Sequence, residues 1–363
     1  MKHGDLAYFL AIHAATFMGA RKMLGLIDYF GSAKEAWEAD LDELQSFPHL
    51  SGKVSDLLEA RRRLDPVREY ETLLRKGFRA TTILDSAYPA VLRNIYDPPA
   101  VLYSLGNLEA LNERALAVVG ARNATPYGKQ MARELARGIA LAGYWVVSGM
   151  ARGIDTEAHQ GALDVGGLTV AVLGSGLEVI YPRENSRLFD RIAATGVVMS
   201  EFPPSTPPEP KNFPIRNRII SGLSRGVVVV EARARSGALI TADLALEQGR
   251  DVFAVPGPVT SKTSQGTNNL IKQGAKLVSS VEDVLEEYQL VLRSQEVEAT
   301  NPPLGEKAVK VLELLGPEPV HLDRLVAATA WQPGELATLL LQLEIQGIIE
   351  VLPGNYFIKL RDA

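Results

Sequence analysis

Six short apolar runs recur between residues 115 and 257: ALAVVG, YWVVSG, LTVAVLG, GVVMSEF, RGVVVVEA and DVFAVPG. None alternates apolar with polar residues. A strand needs no polar face only when both of its faces are buried, the condition of a parallel sheet with helices on either side. The first two intervals carry helical spacing, in KQMARELARGIALAG and TEAHQGALDVGG. The pattern predicts a doubly wound α/β domain, with ligands expected at the carboxyl ends of its strands.

The flanking segments differ. Residues 1–79 read as a helical module in which GARKMLGLIDYFGSAKEAW has apolar spacing of three and four. Turns around Gly19 and Gly52 suggest a SAM-like or helix–hairpin–helix arrangement, or a small packing module. Within an α/β domain spanning 80–288, residues 80–111 read as a connector, broken by proline in AYPAVL and DPPAVLYSLG. Residues 289–304 are polar, acidic and proline-containing, as a linker is. Residues 305–363 give three helical patterns and two strand-like runs around Pro353-Gly354-Asn355, the order of a winged helix.

Charge and composition narrow the function. The 363 residues carry a net charge of −5, with no cysteine. Disulfides, thiolate metal sites and cysteine nucleophiles are excluded. The histidines are scattered, so no histidine metal site is expected. The N-terminal apolar run is too broken for a signal peptide, and no apolar stretch reaches the length of a membrane span. A cytoplasmic protein is expected. Only residues 112–285 are net positive, at +3; residues 1–111 carry −2 and residues 286–363 carry −6. A polyanion site must therefore come from local clustering.

That clustering lies in the loops after the apolar runs. They hold Gly120 and Arg122; Ser148, Gly149 and Arg152; Gly174 and Ser175, then Tyr181-Pro182-Arg183; Lys211, Phe213, Arg216, Asn217 and Arg218; and Ser236-Gly237. Small residues admit a ligand to the backbone, and helix starts aim N–H groups at anions. A phosphate-bearing ligand is expected. The G-x-x-x-x-G-K-S/T loop of ATPases is absent, and Gly120-Ala-Arg is not a dinucleotide fingerprint. In EPKNFPIRNRIISGLS, cations surround Phe213. Phe213 suits base stacking, and it equally suits a core position.

The motifs VVGAR, SGMARGIDTEAHQGAL, VLGSGLEVIYPREN, SEFPP, NFPIRNRIISGLS, VVVVEARARSGALITADLALEQGRDVFAVPG and QGTNNLIKQGAKLV occur in the order found in the DNA-processing protein A (DprA/Smf) family. The chain resembles that family nearly continuously from about residue 80 to 285. The resemblance implies an extended Rossmann-like sheet and single-stranded DNA binding with little sequence preference. It further implies protection of incoming strands in natural transformation, loading of the RecA recombinase past single-strand-binding protein, and a homodimer through the α/β domain. No cofactor and no catalytic turnover are implied. Arg122 and Phe213 fall on family DNA-pocket positions, with Lys211 close to the pocket lysine. Arg216, Asn217 and Arg218 belong to the RNR block, as DNA contacts or as braces for the loop. Gly120, Ser148, Gly149, Arg152, Gly174, Ser175 and Arg183 complete the expected site.

Other readings remain open at this level. Asp155 and His159, four residues apart, could form an acid–base pair, although Asp155 also suits a helix start. A nucleotide-binding or nucleotide-hydrolysing protein could use the same glycine-rich edge. SGALITADLALE, however, stands where nucleotide phosphoribohydrolases carry P-G-G-x-G-T-x-x-E. The third helix of the winged-helix pattern, PGELATLLLQLEIQG, has two glutamates and no cation, which favours protein docking over duplex binding.

Overall fold

The computed structural model describes residues 3–50, 52–111, 114–288, 306–315, 319–329, 331–345, 348–352 and 354–359. The linker expected at 289–304 lies outside them. The chain divides into two compact units, residues 1–284 and 285–363.

The first unit is built on a nine-stranded sheet: β1 (Arg79–Thr82), β2 (Val101–Gly106), β3 (Ala115–Val119), β4 (Trp145–Ser148), β5 (Thr169–Val172), β6 (Val197–Ser200), β7 (Gly226–Val229), β8 (Asp251–Ala254) and β9 (Lys276–Leu277). The spatial order is β1-β2-β6-β5-β4-β3-β7-β8-β9. The seven strands from β6 to β9 are parallel. Six of them are the valine-rich runs, and their continuous burial accounts for the absence of alternation. The chain proceeds from β3 outward through β4, β5 and β6, then returns to pair β7 on the other side of β3. That reversal opens a crevice between the loops after β3 and β7, where α/β sheets take ligands.

The segment read as a connector contributes more than a connection. It supplies β1 and β2, which pair antiparallel with each other (Arg79 opposite Ser104) and through β2 with β6 (Tyr103 opposite Ser200). Pro98 and Pro99 stop short of β2, so no ladder hydrogen bond is lost.

The N-terminal region is helical, with helices at His3–Thr16, Ala20–Phe30, Ala33–Glu38, Leu41–Ser46, Val54–Arg63 and Pro66–Arg75. The amphipathic stretch from Gly19 to Trp37 is two helices rather than one. Gly31 takes φ +89°, a left-handed conformation that glycine alone adopts at no cost, and Ser32 restarts the helix by accepting from the Glu35 N–H at 3.1 Å. Phe9, Ile12 and Leu26 from these helices belong to the same core cluster as Tyr103 and the sheet residues Val147, Val172 and Val229.

The second unit has helices at Glu306–Leu314, Leu322–Thr329 and Pro333–Ile345, with β10 (Val320–His321), β11 (Ile349–Leu352) and β12 (Tyr356–Lys359) in the order β10-β12-β11. Val311, Leu325, Leu336, Leu340 and Phe357 form its separate core. Three helices and a small antiparallel sheet make the expected winged helix.

Candidate single-strand cleft

A cleft of about 300 Å³ opens at the crevice between the β3 and β7 loops. Gly120 and Arg122 after β3, Phe213, Arg216 and Asn217 from the helix Asn212–Gly222, and Ser236, Gly237 and Thr241 after β7 line it. The helices that begin beside it are capped or entered by small residues. Thr125 accepts from the Gly128 N–H at 3.1 Å, and Ser236 from the Ala238 N–H at 3.4 Å. Gly153, at φ +76°, lets the chain turn into the helix Ile154–Asp164; a Cβ there would stand 2.3 Å from the Ala121 carbonyl oxygen. Helix starts at a strand-end crevice favour anions.

Phe213 is half-buried in the first turn of its helix. The Arg122 guanidinium lies 4.9 Å from its ring centroid, the Arg216 guanidinium 6.0 Å, and the Tyr181 ring 5.7 Å. Gly174 makes room for the ring: a Cβ at that position would sit 2.7 Å from Phe213 Cδ1. Arg122 is exposed, and its contact with Phe213 is held by no carboxylate among the described residues.

Arg216 is a different kind of arginine. It is buried, donates from Nη1 to the Gly149 carbonyl at 2.8 Å and to the Val172 carbonyl, and from Nε to Asn217 Oδ1 at 3.3 Å. Gly149 has no side chain because the guanidinium occupies that space, 2.6 Å from where a Cβ would be. Burial pushes Arg216 down to about 10, opposed by the nearby Asp155 carboxylate, so it remains charged at neutrality. Asp155 is itself buried; burial raises its carboxyl, with Arg216 and the Ala151 N–H, at 3.3 Å, acting the other way. Asn217 donates to the Gly237 carbonyl at 3.2 Å, tying the helix to the β7 loop.

The other expected residues divide clearly. Arg152, Arg183 and Lys211 are exposed; Arg152 pairs with Glu184, and Lys211 with Glu209 at 2.7 Å. Exposed pairs of this kind are weak and readily exchanged for another anion. Ser148 and Ser175 are buried and turned to the main chain, donating to the Val118 carbonyl at 2.7 Å and the Val179 carbonyl at 2.8 Å. Arg218 points away from the cleft lining, where Nη1 and Nη2 each meet a Glu201 carboxylate oxygen at 2.7 Å. Glu231 holds the Thr125 N–H at 2.9 Å and hydroxyl at 2.6 Å. His159 is wholly buried with Nδ1 at 2.7 Å from Thr169 Oγ1, and burial pushes it down to about 3. Thr241 and Asp155 line the cleft and Tyr181 touches Phe213, although the sequence places Tyr181 only in an edge loop, weighs Asp155 only as an acid–base or helix-start residue, and gives no sign of Thr241. Tyr181 lies in a loop that sequence reading placed at the edge, but its contact with Phe213 is long-range and leaves no sequence signal.

Together these features define an extended Rossmann-like protein with an aromatic-and-arginine cleft at its topological switch point. A family model described as DNA recombination-mediator protein A matches residues 79–289, and one described as DprA winged helix domain matches residues 295–355. The chain is 35% identical over 394 residues to Protein Smf of Synechocystis sp., covering 98% of each chain. It is 46% identical over 285 residues to Protein Smf of Escherichia coli, covering 76% of each. The X-ray structure of DNA processing protein A from Streptococcus pneumoniae superposes with a TM-score of 0.66 at 39% identity, over 77% of this chain and 97% of that one. DNA processing protein A from Helicobacter pylori, whose structure is described for its unique single-stranded DNA binding mode, superposes with a TM-score of 0.53 at 31% identity, over 58% of this chain and 96% of that one. The chain belongs to the DNA recombination-mediator protein A family, DprA/Smf. No described helix is long and apolar enough to cross a membrane.

Proposed function

We propose that this protein binds single-stranded DNA in the Phe213 cleft, protects incoming strands in natural transformation and homologous recombination, and loads RecA onto them past single-strand-binding protein. The observation that carries the reading is the Arg122–Phe213 pair. The arginine covers the ring face that a base would use, and among the described residues no carboxylate forms an ion pair with it. A strand can draw Arg122 onto a phosphate while a base takes its place on the ring, a stack worth about 1–3 kcal/mol. Arg152, Arg183 and Lys211 add positive potential at the rim. Arg216 and Asn217 hold the cleft wall, and Arg218 braces the helix from behind.

The protein acts without catalytic turnover in this reading. His159 is sealed in the core, so it cannot serve Asp155 as an acid–base partner for a bound ligand. A homodimer through the α/β domain would present two clefts to one strand and raise avidity without new contacts. Exposed Ile240 and Leu246 on the helix Gly237–Glu247 supply apolar surface for it. The mediator role is tested by RecA's ATP hydrolysis on single strands coated with single-strand-binding protein. The wild type should shorten the lag and Phe213→Ala should not; equal lags with and without the wild type would refute RecA loading. A monomeric variant that binds long oligonucleotides as tightly as the dimer would refute avidity.

A further inference from the structure

A second cavity, of about 300 Å³, lies between the N-terminal helices and the edge of the sheet, and it shares no lining residue with the cleft. The helix His3–Thr16 contributes Ala7, Leu10, Ala11 and Ala14, which fall on one face at spacings of three and four. Three of the four are alanine, so this face stands back from its neighbours and leaves the space open. Leu73 on the helix Pro66–Arg75, and Pro203 and Pro204 after β6, complete an apolar wall. Ala14 and Glu69 are exposed and mark the mouth.

Inside this wall the polar groups are few. Tyr103, on β2, lines the cavity with only 2% of its surface exposed. A buried tyrosine hydroxyl normally finds a partner, as Tyr88 does in donating to the Pro99 carbonyl at 2.9 Å. The Tyr103 hydroxyl meets none among the described residues. It borders open space, so the polar atom it lacks can be supplied by a ligand. Three charged residues line the cavity. Lys76 and Glu178 pair at 2.7 Å, while Glu69 forms no ion pair among the described residues. The lining therefore carries one carboxylate in excess, which attracts a cation and repels an anion.

We propose that this cavity binds a small organic amine with an apolar, hydroxyl-bearing body. The body lies on Leu10, Ala11 and Leu73, its hydroxyl meets Tyr103, and its ammonium meets Glu69. Apolar walls with a few fixed polar groups are the usual make-up of a small-molecule site. At the roughly 30 Å³ that a water takes in the liquid, the volume holds about ten non-hydrogen atoms, the size of tyramine. The site is separate from the cleft and does not rest on its single-strand reading.

The test is isothermal titration of the full-length protein with three probes: tyramine; phenethylamine, which lacks the hydroxyl; and hydroxyphenylacetate, which carries a negative charge in place of the ammonium. Tyramine should bind with a dissociation constant of about 1 mM or below, and hydroxyphenylacetate at least about tenfold more weakly. Tyr103→Phe should weaken tyramine about fivefold, the loss of one hydrogen bond, and leave phenethylamine unchanged. It should not lower the melting temperature, because the hydroxyl holds nothing in the protein. Glu69→Gln should weaken both amines about threefold. Ala14→Phe, at an exposed position, should close the mouth and abolish binding of both while the melting temperature holds. Tyramine that fails to bind at about 10 mM, or binds no better than hydroxyphenylacetate, would overturn the site. So would binding that survives Ala14→Phe, or a Tyr103→Phe effect equal for the two amines.

Discussion

Arg218→Ala would strand a carboxylate inside the protein. Glu201 has a side chain only 5% exposed and Arg218 one 12% exposed, joined by two N–H···O bonds of 2.7 Å. Removing one partner of a buried pair costs about 3–5 kcal/mol, because the other charge is left without compensation. The additional contact to exposed Asp97 contributes at most about 1 kcal/mol. Burial already raises the Glu201 carboxyl against the opposing pull of Arg218. Without Arg218 it rises further, and protonation limits the penalty, so a loss of about 3 kcal/mol is expected at neutral pH. The sign with pH follows. The folded variant holds the Glu201 proton more tightly than the unfolded chain does. The penalty is therefore full above the raised folded value and shrinks as pH falls toward the ordinary carboxylate range. Urea unfolding followed by tryptophan fluorescence measures it in a Trp331→Phe background. The signal then comes from Trp37 and Trp145, both buried in the first unit. Arg218→Leu combined with Glu201→Leu should recover most of the loss. A loss below about 1 kcal/mol, or one unchanged between about pH 5 and pH 8, would refute the argument.

Three further outcomes are expected. Gly174→Ala places a methyl 2.7 Å from Phe213 Cδ1 and must displace the ring; oligonucleotide affinity should fall about tenfold while urea stability falls by less than about 2 kcal/mol. His13 is buried with Nδ1 unpartnered, and burial pushes it down to about 4, so the unfolded chain takes up a proton near pH 6.5 that the folded chain refuses. Stability should therefore drain as pH falls across that window, by up to about 1.4 kcal/mol per pH unit from His13 and as much again from buried His159, and His13→Phe should lower the slope by the His13 share alone. In the winged helix, Glu335 pairs with Lys307, and the helix Pro333–Ile345 carries no cation; deleting residues 305–363 should leave duplex DNA affinity within about twofold, as electrophoretic mobility shift would show.

The parallel sheet was legible because buried parallel strands cannot alternate, so ALAVVG and RGVVVVEA announce themselves. The two antiparallel edge strands were not, because VLYSLG is short, follows two prolines, and pairs with β6 far along the chain. The break at Gly31 was hidden because both helices share one apolar periodicity across it. In the site, the loops and Phe213 were readable as a glycine-rich, basic edge with one aromatic. What could not be read is which way each side chain turns. Ser148 closes β4 and Ser175 follows β5, yet both hydroxyls satisfy buried carbonyls. Arg216 and Arg218, two residues apart, point to the cleft wall and to Glu201 respectively, a difference set by helix phase and by partners distant in sequence.

The central claim is that Arg122 and Phe213 hold single-stranded DNA. Its most direct test is anisotropy of labelled oligo-dT against the matching duplex across a salt series, for wild type, Arg122→Ala and Phe213→Ala. Preference for the single strand is expected, lost in both variants. The salt slope should fall by about 0.7 with Arg122→Ala, one phosphate contact on a single strand, and stay unchanged with Phe213→Ala. Equal affinity for duplex, or variants that bind as the wild type does, would contradict it.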